Sequence, residues 1–123
     1  MSVEDWVLLM EFDDIRQFES DTSLGKIRVR VMELENGMIL LISDSEKFKM
    51  GLSAVAIPPG QGRSEPTSTG LFSAGLNSAL VRTLAERVAA WINRACMVVV
   101  AVSGLNQTTM LELMTILKNH FLT

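Results

Sequence analysis

A nucleophilic enzyme needs a base within hydrogen-bond reach of its cysteine or serine, and this 123-residue chain has one histidine and one cysteine. The best cast it can offer is Cys96 or Ser103 with His120. No glycine-flanked nucleophile elbow follows the apolar strand that ends near Ser103, and no oxyanion loop is evident. Cys96 stands at the mouth of that strand, where a free thiol is ordinarily buried and inert. His120 falls near the end of the last predicted helix, a favourable position for the dipole. One thiol excludes an intramolecular disulfide, and neither residue type can build a zinc cluster. Gly60 and Gly62 are not followed by the Lys-Ser/Thr of a phosphate loop, nor do they lie between a strand and a helix start. The residues therefore read as a non-enzyme with no cofactor and no metal.

The chain must then act by binding, and its charge narrows what it binds. A net charge of −3 gives no basic footprint for nucleic acid or for an anionic membrane. The run Trp6-Val7-Leu8-Leu9-Met10 follows Glu4 and Asp5, is too short to span a bilayer, and lacks the positive lead of a signal peptide. The expected setting is the cytoplasm, with the nucleus open. A chain 48% hydrophobic and 20% charged folds, and its length suits one domain over 1–123.

The elements that would carry a binding surface are legible in the periodicities. Leu76, Leu80, Val81, Leu84, Val88, Trp91 and Ile92 recur at helical spacing, opposite Ser78, Arg82, Glu86 and Asn93. This helix runs into Met97-Val98-Val99-Val100-Ala101-Val102, a strand apolar on both faces, which needs cover above and below. Asn36-Gly37 between two apolar runs predicts a hairpin, pairing Leu34 with Ile39, Met32 with Leu41 and Val31 with Ile42. Arg30, Met32, Leu34, Ile39 and Leu41 then share one face, and Ile27, Val29, Val31, Leu40 and Ile42 share the other. Both faces are apolar.

A weak strand opens at Ile15, and Leu52 to Ile57 forms another that ends at Pro58-Pro59. Residues 58–71, rich in Gly, Ser, Thr and Pro, read as a flexible loop, and 1–11 as a peripheral segment. Thr109 and Glu112 are spaced as a capping box for a last helix, with Met110, Leu113, Met114, Leu117 and Phe121 on its apolar side. The fold class is α+β: a mainly antiparallel sheet of five to six strands with two helices packed on one face. Two helices cover one side of such a sheet, and a partner is the simplest cover for the other. Arg30, Met32, Leu34, Ile39 and Leu41 are the candidate dimer surface.

The string Val31-Met32-Glu33-Leu34, a turn and a strand, and then Leu52-Ser53-Ala54-Val55-Ala56 resembles the corresponding strands of the proteasome assembly chaperone 4 family. Thr67-Ser68-Thr69-Gly70-Leu71, Leu84-Ala85-Glu86-Arg87-Val88-Ala89 and the apolar strand ending Ser103-Gly104-Leu105 extend the likeness in the same order, over roughly Phe12 to Lys118. The resemblance implies a small non-catalytic chaperone that pairs through its sheet with a proteasome assembly chaperone 3-like protein. The heterodimer binds an α subunit of the 20S core particle, helps order the α ring, and leaves as β subunits arrive. Homodimerisation in isolation stays open. A small dimeric scaffold of roadblock or longin type, acting in trafficking or GTPase regulation, is the competing reading. It too combines a sheet and helices without an active site.

Overall fold

The computed structural model describes residues 14–60, 64–72 and 77–122. Its strands are β1 (Ile15–Thr22), β2 (Gly25–Leu34), β3 (Gly37–Ser43), β4 (Leu52–Ile57), β5 (Thr67–Phe72) and β6 (Ala95–Ala101). Two helices, α1 (Asn77–Ile92) and α2 (Gln107–Leu122), flank β6 in the chain. The six strands form one sheet in the order β1-β2-β3-β6-β4-β5. Pairing is antiparallel throughout except between β3 and β6, which run parallel at the centre. This is the α+β class expected, with two helices on one face. The N-terminal segment 1–11, with its apolar run, lies outside the described residues.

The hairpin of β2 and β3 forms, but its turn is Glu35-Asn36 and its register pairs Leu34 with Gly37, Met32 with Ile39 and Val31 with Leu40. The expected register was two residues away. Gly37 is not needed for a positive φ, since those belong to Gly25, Asn93 and Gly104 among the described residues. It is needed for room: a Cβ there would stand 2.7 Å from the carbonyl oxygen of Ala95, its parallel partner on β6. A slip of two residues keeps every side chain on its face. The two face sets of the hairpin therefore survive the correction.

One face packs under the helices. Ile27, Val29, Val31, Met38, Leu40, Ile42, Ala54, Ala56, Cys96, Val98 and Val100 of the sheet are buried against Val81, Leu84, Val88, Met110, Leu113 and Leu117. Ala85 and Ala89 are fully buried on α1, and their small side chains let that helix close on the sheet. Leu80, Trp91 and Ile92, also expected on the apolar stripe, are partly buried and pack against the margin of this core.

Two local readings change. Thr67 to Leu71, part of the stretch expected as a loop, belong to the edge strand β5, paired with β4 across a bulge at Ser53/Ala54. Its hydroxyl-rich sequence shows no apolar alternation because α1 holds it by polar contacts: Ser68 Oγ donates to Glu86, and Arg82 donates to Ser68 Oγ at 3.2 Å and to its carbonyl at 3.3 Å. At α2 the cap is Asn106, whose Oδ1 accepts from the Thr109 N–H at 2.9 Å and from its hydroxyl at 3.2 Å. Glu112 instead accepts from the Ser23 N–H and hydroxyl in the β1–β2 turn, which holds its carboxyl below the usual range. Asn106→Ala should lower unfolding free energy by about 0.5–2 kcal/mol in a denaturant titration. Glu112→Gln should leave the helix cap intact.

Candidate partner-binding face

The second face of the sheet carries the surface of interest. By register, one row across it reads Ile15, Met32, Ile39, Met97 and Val55, and the next reads Gln17, Arg30, Leu41, Val99 and Ser53. All five residues expected as a dimer surface project here, since Leu34 and Met32 alternate with Val31 on β2, and Ile39 and Leu41 alternate with Leu40 on β3. Met32, Ile39, Leu41, Met97 and Val55 are half-buried, Val99 is buried among its neighbours, and Leu34 and Ile57 are 44% and 38% exposed. No helix of the described residues packs on this face. At the hairpin end Leu34, Ile39, Val55 and Met97 line an open apolar hollow of about 260 Å³.

The opposite corner is polar and partly covered. Ser43 is fully buried because the loop after it folds back, so that its hydroxyl meets Ser45 and the Lys47 carbonyl at 3.2 Å. That loop brings the Phe48 ring to 4.4 Å from the Arg30 guanidinium carbon, a cation–π contact. Gln17 Oε1 accepts from Arg30 Nε at 3.2 Å and Nη2 at 2.8 Å. Next to it, Arg28 Nε meets Glu19 at 2.9 Å and Lys26 reaches the same carboxylate at 3.4 Å, which holds Glu19 below the usual range. These exposed pairs contribute little to stability and act as a charged border to the apolar rows.

Sequence reasoning found the β2–β3 half of this face and missed Val55, Met97, Val99, Gln17 and Phe48. Met97 and Val99 were within reach, because β6 is apolar at every second position on both sides. Val55 joins them only because β6 slots between β3 and β4, which no local pattern reveals.

The three residues weighed as a catalytic set are dispersed. Cys96 is buried on the helix-covered face, and desolvation pushes its thiol up to about 12 despite the Arg94 charge. Ser103 lies past the other end of β6, roughly 23 Å away along extended chain, where its N–H donates to Asp44 Oδ2 at 2.8 Å. His120 stacks on Phe18 of β1, centroids 4.3 Å apart, and meets Phe121 edge-on. Partial burial, and then the Arg16 charge, hold the imidazole below its ordinary pKa, the reverse of what the helix dipole alone would do.

The fold thus favours neutral His120. Its contribution is complete above roughly pH 6.5 and is lost as the pH falls through the lowered folded value. Melting midpoints at pH 7.5 and 5 should therefore diverge more for the wild type than for His120→Phe, which keeps the stack and cannot titrate.

No protein-family model matches this chain, and no curated protein matches it by sequence. Among solved structures it is similar to a chain in the crystal structure of a chaperone complex for yeast 20S proteasome assembly. The TM-score is 0.59 at 16% identity, over 87% of this chain and 92% of that one. Over that matched length, the protein has the fold of that chaperone complex's chain.

Proposed function

We propose that the chain belongs to the proteasome assembly chaperone 4 family and acts in the cytoplasm as a non-catalytic subunit of a chaperone pair. One observation carries the reading: the fold shared with a chain of a proteasome assembly chaperone complex over nearly the full length of both. The apolar, helix-free sheet face supports it, because a chain built to pair needs such a surface. In this reading Met32, Leu34, Ile39 and Leu41 meet a proteasome assembly chaperone 3-like protein. The pair then holds an α subunit of the 20S core particle while the α ring forms.

Such a chaperone works by differential affinity. It favours one arrangement of α subunits and has none for the finished particle, where its site is occluded. Affinity capture of the tagged chain from its own cells should bring down one second small chaperone and α subunits without the full set of β subunits. Recovery of GTPases or motor subunits instead would favour the roadblock or longin class.

A further inference from the structure

We propose that, in the chain without a partner, its own apolar run Trp6-Val7-Leu8-Leu9-Met10 seats in the hollow between Leu34, Ile39, Val55 and Met97. The run then covers the hairpin end of the helix-free face, and whatever binds that end must first displace it.

The choice of occupant follows from where the described chain begins. The backbone enters β1 at the hairpin end of the sheet, where the Glu33 N–H donates to the Asp14 carbonyl at 2.6 Å. Ile15, the next residue, opens the outward row that continues through Met32, Ile39, Met97 and Val55. The hollow lies along that row, and residues 1–13 precede Asp14. Water disfavours both an open apolar hollow and an uncovered five-residue apolar run, and one contact removes both from it.

Reach favours this site over others. With strands about 4.8 Å apart, Ile39, Met97 and Val55 lie roughly 10, 14 and 19 Å across the sheet from β1. At about 3.3 Å per residue, extended chain leaving Asp14 carries Met10 to roughly 13 Å and Trp6 to roughly 26 Å. The run therefore spans the distance of the hollow. Leu24, 43% exposed, stands beyond the far end of the ten-residue β2, about 33 Å away and out of range. The inner face is already filled by the helices. Leu122, 51% exposed at the end of α2, is a rival on the β1 side, but a lone side chain cannot cover the run.

A tether of this length holds the run at an effective concentration on the order of millimolar, so a modest contact suffices. The same modesty lets a partner with a full-sized interface take its place.

The test uses the full chain alone. Trp6 and Trp91 are its two tryptophans, so Trp91→Phe makes emission a report on the run. In that background Trp6 should emit at short wavelength and resist acrylamide, unchanged by dilution. Adding Val55→Glu, with unchanged far-ultraviolet circular dichroism, should move emission to longer wavelength and raise the quenching constant at least threefold. Leu34→Glu, at a position already 44% exposed, should act the same way by less, and decides the matter if Val55→Glu does not fold. Leu122→Ser should change neither reading. A Trp6 already accessible in the parent, indifferent to the hollow substitutions, released by Leu122→Ser or released on dilution would overturn the proposal; the last would mean a second copy. None of these readings involves a proteasome subunit, so failure of the proposed function and failure of this proposal remain separable.

Discussion

A Leu41→Glu chain is expected to fold as the wild type does and to lose its sheet-face partner. Leu41 lies at the middle of the helix-free face, between Arg30 on β2 and Val99 on β6. Its side chain is half-buried and points away from the core, so its loss leaves no cavity beneath the helices. A glutamate there stands directly opposite Arg30, and a cross-strand pair of opposite charge contributes roughly 0.2–1 kcal/mol to the sheet. Stability is therefore retained.

Association is not. The substitution removes apolar area from the centre of a surface where a standard interface would bury about 800 Å² per partner, and it places a carboxylate where water must be excluded. A central residue of this kind is worth about 2–4 kcal/mol, or roughly 30- to 1000-fold in affinity. Sedimentation of the chain with its captured partner checks this, and an undiminished complex would remove the face from the interface.

Leu84→Ala should do the opposite, weakening the fold and sparing the surface. Leu84 is fully buried on the inner side of α1, in the cluster that joins both helices to the sheet. Truncating such a leucine costs about 2–5 kcal/mol, depending on how far the site collapses. At about 3–6 °C per kcal/mol for a domain of this size, the melting midpoint falls by about 6–30 °C. Below that midpoint the variant should still bind the partner with wild-type affinity, because the outer rows are untouched. A normal midpoint would mean that α1 is not packed as described.

The two substitutions divide the sheet into a side that holds the molecule together and a side proposed to meet a partner, and much of that division was legible in the residues. Strict alternation along β2 and β3 assigned Arg30, Met32, Leu34, Ile39 and Leu41 to one face, and a two-residue error in the turn could not disturb it, because the side-chain period of a strand is two. The helices announced themselves by their stripes. What stayed hidden was non-local or polar. The parallel pairing of β3 with β6 joins segments far apart in sequence, and with it came Val55, Met97 and Val99 on the outer face. β5 is held by Ser68, Arg82 and Glu86, contacts that leave no hydrophobic signature. Glu112 sits at capping-box spacing, yet its carboxylate is claimed by Ser23 from the β1–β2 turn, while Asn106 caps the helix in its place.

The central position of β6 bears on how the protein is made. During synthesis the β1–β2–β3 meander and the β4–β5 hairpin leave the ribosome as separate pieces, and the strand that bridges them follows both. Until residues 95–101 emerge, β3 and β4 each present an unpaired backbone edge that can recruit strands from other polypeptides. A nascent chain is thus open to misassociation until β6 is available to close the sheet. Premature termination between β5 and β6 should accordingly yield insoluble product rather than a smaller functional domain.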